Sequence, residues 1–366
     1  MGAAPRIGPG LRPAPAPDSG RCNALRARYR NAVAITIRDV AREAGVSTAT
    51  VSRALRGLPH VDPQTREHVA RVAAELDYVA SANASRLASG RQGTVAVITP
   101  SLSRWFFATV LAGISEVLQA EDLDLLVHSV EDASAPSLPS ERRLRGRVDG
   151  VIAVALPSGD AQDLRGIGVP LSLIGATADG VPSVTIDDVD AARTATAHLI
   201  SLGHERIGLI GSGDDASADS AGSWRMEGFR EAMREAGIPI DTRLHADGGF
   251  TVDGGETAMA ALLARPDRPT AVFALSDEMA FGAMRSLRRH ALRPGNDVAL
   301  IGIDGHDLSG LLDLSTVAQP VSDMGRMAAE QVLRQWRGDT PEPVRAPTSL
   351  VARGSTLPVA EAVALA

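Results

Sequence analysis

A chain of 366 residues that is 44% hydrophobic is long enough to build two or three separate cores. All 37 of its basic residues are arginine, which removes Schiff-base lysine chemistry and the phosphate-binding P-loop lysine; the single cysteine, Cys22, excludes an intrachain disulfide and a cysteine-built metal site. The net charge of -7 is uneven: residues 1–34 carry six arginines against one acid and residues 35–92 eight against six, so a basic front precedes a body of strongly acidic balance.

Residues 1–34 are proline-rich up to Pro17 and hold no apolar run of signal-peptide length, so they are expected to be a disordered N-terminal tail. Their arginines either add nonspecific phosphate attraction or belong to an upstream extension read from an early start codon. No segment approaches the ~20 apolar residues of a membrane span. With a lone cysteine, that points to a reducing cytoplasm, with nucleoid association and no membrane partner.

Residues 36–56 hold two short helices around a glycine. Thr36 and Asp39 have the spacing of a capping box, so a helix is expected from Ile37. Ile37, Val40, Ala41 and Ala44 give it one apolar stripe, and Gly45 ends it. Ser47 then caps a second helix, in which Val51 and Leu55 face inward and Thr48, Ala49, Ser52 and Arg53 face outward. A third helix, with Asp62 as cap and Pro63 at its first position, presents Val69, Val72, Ala73 and Leu76 to the same core. Such a pair of helices is often an ordinary hairpin. If it reads DNA, Arg53 suits a guanine, the methyl groups of Thr48 and Ala49 suit a thymine methyl, and Ser47, Thr50 and Ser52 suit phosphates.

The full string decides between the two. Asp39-Val-Ala-Arg-Glu-Ala-Gly-Val-Ser, Ala49-Thr-Val-Ser-Arg, the helix from Asp62-Pro63 to Leu76, Tyr78 and Arg86-Leu87-Ala-Ser-Gly together resemble the DNA-binding headpiece of the LacI/GalR (lactose-repressor and galactose-repressor) family. The resemblance implies a helix-turn-helix domain over residues 35–78 and a hinge over 79–93. It also implies that Leu87, paired with its twin, wedges into the minor groove. Composition alone reads 79–92 as a flexible linker. Ala80 stands where many relatives carry proline, and Asn83 precedes Ala84 in an unusual order.

Beyond Gly93 the pattern becomes short apolar runs alternating with amphipathic stretches. The runs Thr94–Thr99, Leu123–His128, Gly150–Leu156, Leu171–Gly175, Ile207–Gly211, Thr270–Leu275 and Val298–Ile303 read as parallel strands buried on both faces; Phe106–Ala120 and Asp188–Leu202 are among the helices between them. This predicts a doubly wound α/β body, too long for one sheet, with its ligand cleft between two lobes. Gly93-Thr-Val-Ala-Val-Ile, Val148-Asp-Gly-Val-Ile, His198-Leu-Ile-Ser-Leu-Gly-His, Arg225-Met-Glu-Gly-Phe, Ser276-Asp-Glu-Met-Ala-Phe-Gly-Ala and Gly302-Ile-Asp resemble the same family's periplasmic-binding-protein-like effector domain. That resemblance implies an effector and dimerisation domain over 94–357. Lobe 1 covers approximately 94–187 and 320–346, lobe 2 approximately 188–319 and 347–357, and 358–366 are a tail. The prolines of Ala133–Ser140 should shorten a helix there. By the same resemblance Phe107, Arg225, Phe250, Ser276, Asp304 and Gln319 contact the effector. Their chemistry suits a sugar: charged and amide forks for hydroxyl pairs, aromatic faces for the ring. Each also has a plainer reading: Phe107 in a helix core, Arg225 paired with Glu227 or another acid, Asp304 capping a helix. Ser276 replaces a longer amide of the lactose repressor, so galactoside specificity is not carried over.

Catalytic motifs are incomplete. His204-Glu205 lacks the second histidine of a zinc-protease helix, Gly211-Ser-Gly213 lacks the third glycine of a dinucleotide fingerprint, and there is no Gly-x-Ser-x-Gly elbow. The sequence therefore predicts a non-enzymatic, sequence-specific transcriptional repressor without metal or cofactor. It should bind a pseudo-palindromic operator in double-stranded DNA as a homodimer, controlled by a small sugar-like effector. The alternatives are a two-lobed solute-binding or sugar-processing protein, and a nucleoid-type binder with a vestigial cleft.

Overall fold

The computed structural model describes residues 35–55, 57–78, 92–130, 144–156, 163–211 and 220–356. The expected tails, most of the hinge with Leu87, and Ala133–Ser140 lie outside them. The chain divides into two units, residues 1–89 and 90–366.

The first unit contains α1 (Ile37–Glu43), α2 (Thr48–Leu55) and α3 (Pro63–Glu75). The Asp39 carboxylate accepts from the Thr36 amide at 3.0 Å and from its hydroxyl at 2.7 Å, which closes the start of α1. Asp62 accepts from the amides of Gln64 and Thr65 at 3.0 and 3.1 Å, satisfying first-turn donors of α3. Between α1 and α2, Gly45 takes φ +67°, the left-handed conformation the tight turn requires. Val40, Val51 and Val69, one from each helix, are completely buried at the centre of a small core. Ala54, rather than Leu55, completes the inward face of α2 beside Val51; Leu55 and Ile37 are only half-buried at the edge.

The second unit is a two-lobed α/β body. The first lobe has β1 (Thr94–Thr99), α4 (Trp105–Ala120), β2 (Asp124–Ser129), β3 (Gly150–Val154), β4 (Leu171–Ile174) and β5 (Ser183–Thr185). The chain continues with α5 (Asp188–Ser201), β6 (Ile207–Gly211), α6 (Ala221–Glu235), β7 (His245–Asp247), α7 (Val252–Leu263) and β8 (Ala271–Ala274). There follow α8 (Asp277–Arg289), β9 (Ala299–Asp304), α9 (Leu308–Leu311) and β10 (Ser315–Ala318), then α10 (Val321–Trp336), β11 (Val344–Arg345) and β12 (Ser349–Val351). One sheet has the order β11-β5-β4-β3-β1-β2 and the other β12-β10-β9-β8-β6-β7. All described neighbours pair in parallel except β10 with β12. Because α10 packs on β3, β4 and β5, the chain passes between lobes at 186–187, 319–320 and 346–348.

Helix pairs close the faces: α4 with α10 in the first lobe, α5 with α6 and α7 with α8 in the second. The α4–α10 pair approaches backbone to backbone. A Cβ at Gly113 would strike the Ser322 carbonyl, and one at Gly325 the Val110 carbonyl, so only glycine permits this spacing. One strand departs from the sequence expectation. β2 is an edge strand of alternating exposure, with Leu126 41% exposed, because nothing pairs on its outer side among the described residues. The short strands β5, β7, β10, β11 and β12 were not anticipated; two to four residues are too few for periodicity to register.

Candidate nucleic-acid interface and effector pocket

In α2 the exposed residues are Ser47, at its start, with Thr48, Ala49 and Arg53, while Thr50 and Ser52 are half-buried. The Ser47 hydroxyl accepts from the Thr50 amide at 3.1 Å and lies 2.9 Å from the Thr50 hydroxyl, so both hydroxyls take part in the cap. Arg53 makes no side-chain hydrogen bond or ion pair with a described residue. The helix start therefore presents two methyl groups and an unengaged guanidinium, with the Thr50 amide taken up by the cap. Leu87 cannot be placed on this surface, since it lies outside the described residues.

The body encloses a cavity of about 330 Å³ between its lobes, at the carboxyl ends of both sheets. Gly175 and Ile186 follow β4 and β5 there, while Asp304 ends β9 and Gln319 follows β10. Phe107, Arg225, Phe250, Ser276, Asp304 and Gln319 all line it. The backbone is bent sharply around it: Ala155, Phe250 and Asp304 have φ of 49°, 55° and 136°, conformations that side chains rarely adopt and that concentrate at binding sites.

At the inner end Arg225 is buried, held on α6 between two acids. Its Nε donates to Asp188 Oδ1 at 2.8 Å, and its Nη1 donates to the Leu275 carbonyl at 2.5 Å and to Asp304 Oδ1 at 3.4 Å. Gln319 Nε2 donates to the same Asp304 oxygen at 2.8 Å. The alternative pairing of Arg225 with Glu227 does not occur; Glu227 lies 3.6 and 3.7 Å from Arg230 and Arg234 instead. Ser276 lines the cavity and also caps α8, its hydroxyl accepting from the Met279 amide at 3.3 Å. Phe107 is only 5% exposed and belongs as much to the core of the first lobe as to the cavity wall.

Two residues of the site escaped the sequence reading. Asp188 was legible only as the first residue of a helix, because its partner Arg225 is 37 residues away in the chain. Arg104, just before α4, gave no signal in a serine-rich turn, yet it lines the outer end of the cavity.

Burial pushes the Asp304 carboxyl up to about 7; Arg225 opposes this and the nearby Asp277 carboxylate adds to it. Burial likewise raises Asp188 against the pull of Arg225. Arg225 lies nearer to Asp188, at 2.8 Å, than to Asp304, at 3.4 Å, and the charge of Arg104 also acts to lower Asp304.

Two outcomes follow from this geometry. Arg225→Ala leaves two buried acids without their counter-charge and should lower stability by about 3–5 kcal/mol, measured by urea unfolding; a loss near zero would show that the cluster does not bear on the fold. For Asp304, the folded value of about 7 lies above the ordinary 3.8. Its contribution is full below about pH 4 and is lost as pH rises through about 7, where the folded chain releases the proton it had retained. Asp304→Asn should remove that part of the pH dependence, and an unchanged slope between about pH 4.5 and 7.5 would refute the shift.

Comparison with known proteins matches residues 36–81 to the model of bacterial regulatory proteins of the lacI family, and residues 196–356 to the periplasmic binding protein-like domain. Catabolite control protein A of Priestia megaterium is 32% identical over 313 residues, 84% of this chain and 94% of its own. The HTH-type transcriptional regulator CelR of Thermobifida fusca is 36% identical over 329 residues, 85% of this chain and 94% of its own. Among solved structures, the lac repressor dimer bound to operator and the anti-inducer ONPF superimposes with a TM-score of 0.76 at 27% identity, covering 88% of this chain and 99% of that one. A complex of the transcriptional regulator CelR with cellobiose gives 0.62 at 34% identity, covering 88% and 99%. With a helix-turn-helix unit, a two-sheet α/β body and these relatives, none of them an enzyme, the chain belongs to the LacI family of bacterial transcriptional regulators.

Proposed function

We propose that the protein is a sequence-specific repressor that binds a pseudo-palindromic operator as a homodimer and is released or recruited by a neutral sugar bound between its lobes. The observation that carries this reading is the convergence of Arg225, Asp304, Gln319, Phe107, Phe250 and Ser276 on one cavity. Their spread over more than 200 residues of sequence is brought together by the strand ends and by the starts of the helices that follow them. Donors and acceptors at the inner end suit hydroxyl pairs, and the phenyl faces suit the apolar side of a pyranose. The cellobiose of the CelR complex is the same class of ligand.

In this reading residues 35–78 read DNA, 79–93 form the hinge and 94–357 sense the effector. Arg53 takes a guanine edge, Thr48 and Ala49 lie against bases, Ser47, Thr50 and Ser52 contact phosphates, and Leu87 of each subunit enters the minor groove at the centre. The sugar acts by favouring one arrangement of the lobes over another, which changes DNA affinity only to the extent that it binds the two arrangements differently. Among the described residues no helix is long and apolar enough to cross a membrane, consistent with a cytoplasmic site of action on the nucleoid. A solute receptor or sugar-processing enzyme would have no use for the headpiece.

The second subunit is proposed to cover α9, where Leu311 is 80% exposed beside Leu308 and Leu312, an apolar cluster that a monomer has no reason to leave in water. Leu311→Arg should shift the sedimentation coefficient to that of the monomer and weaken operator binding; an unchanged dimer would place the interface elsewhere. For DNA reading, Arg53→Ala should lower discrimination at one base pair by ~1–3 kcal/mol in salt-matched mobility-shift assays. Equal weakening across all operator variants would reduce Arg53 to a phosphate contact.

A further inference from the structure

The outer end of the cavity is built from both lobes. Arg104, from the turn before α4 of the first lobe, has its guanidinium carbon 5.3 Å from the ring centre of Phe107 in its own lobe and 5.3 Å from that of Phe250 in the other. Its Nε donates to Glu278 Oε2 of α8 at 3.4 Å. The two terminal nitrogens have no hydrogen-bond partner among the described residues, and the side chain lines the cavity.

The turn that carries Arg104 is pinned to the second lobe by its neighbour. The Trp105 amide donates to Glu278 Oε1 at 3.4 Å, and the indole N–H donates to Asp307 Oδ2 at 3.1 Å. The indole ring also stacks on His306 at 4.5 Å between centroids. Within the turn, the Ser101 hydroxyl accepts from the Ser103 amide at 3.2 Å and lies 3.2 Å from the Ser103 hydroxyl. Arg104 is therefore a positioned group, held by aromatic faces and one carboxylate, with its fork of donors unspent.

The buried cluster of Arg225, Asp304 and Gln319 and the more exposed Arg104 thus supply polar groups to one cavity, with the phenyl rings of Phe107 and Phe250 each 5.3 Å from the Arg104 guanidinium carbon. A volume of about 330 Å³ lies at the lower end of the range of sites for drug-sized ligands, about 300–1,000 Å³. We infer that Arg104 is the specificity-determining residue of the outer subsite, donating its terminal nitrogens to hydroxyls on the second ring of a neutral two-ring saccharide whose first ring sits on the inner cluster. This rests on reading the cavity as a sugar site. Because its anchors come from both lobes, Arg104 also makes the second ring a contributor to lobe closure. Glu278 is its positioning residue.

The test is calorimetric titration of the full chain with cellobiose, maltose, trehalose and glucose, comparing wild type with Arg104→Ala, Arg104→Lys and Glu278→Gln. Unliganded melting temperatures serve as the check on folding. At least one disaccharide should bind wild type more tightly than glucose. Arg104→Ala should weaken that disaccharide about tenfold or more and glucose less than about threefold. Arg104→Lys, which keeps the charge but not the fork, and Glu278→Gln should fall between. Equal losses for both sugars, no loss for the disaccharide, or a wild type that binds only glucose would overturn the role of Arg104 while leaving the sugar reading in place. A wild type that binds none of the four would overturn the sugar reading itself.

Discussion

The body is organised around one buried cation. Arg225 is enclosed by Asp188, Asp304 and the Leu275 carbonyl, and removing it from water is tolerable only because each donor that points into protein finds an acceptor. Those acceptors are not local. Asp188 opens the helix that follows the first crossing between lobes, and Asp304 ends a strand. Gln319, which bonds to Asp304, lies at the second crossing. The third crossing is tied in at the surface, where Arg345 of β11 donates to Asp187 at 2.7 Å, and Asp187 itself caps α5 through the Asp190 amide at 3.0 Å. The cavity cluster is thus bonded to residues at two of the crossings, and the third is tied to Asp187, the chain neighbour of Asp188.

That arrangement gives a physical route from ligand to conformation. The proposed sugar would exchange hydrogen bonds with groups that already position the crossings, beside a carboxyl that burial raises to about 7. At the outer end the contacts of Arg104 and Trp105 bridge the lobes directly. In the proposed regulator, occupancy and lobe geometry would share the same side chains. The backbone conformations of Ala155, Phe250 and Asp304 carry the cost of presenting these groups, and the close-packed sheets on either side hold them in place.

The DNA-reading unit rests on simpler physics. Three buried valines, a glycine turn and two acidic caps suffice to fix three short helices, and the small residues Thr48 and Ala49 leave the start of α2 open to close approach. Capping claims the Ser47 and Thr50 hydroxyls, which leaves Arg53 and the methyl groups beside it as the groups proposed to read bases.

Most of this architecture is local information and could be read along the chain. Helix caps, the glycine stop after Ala44 and apolar runs of four to six residues are set by neighbours within one or two turns, so the headpiece and the principal strands were legible, and the family pattern brought the six cavity residues into view together. What stayed hidden depends on distance in sequence. The exposed edge of β2 goes with the absence of an outer strand among the described residues, which no local pattern encodes. Asp188 and Arg225, 37 residues apart, become partners only when α5 and α6 pack side by side, and Arg104 meets Glu278 across 174 residues only where two lobes face each other. Sequence alone determined the elements and the kind of chemistry available. Tertiary structure decided which charges are buried together, because the burial that raises the Asp304 carboxyl and the acids that hold Arg225 come together only once the fold has formed.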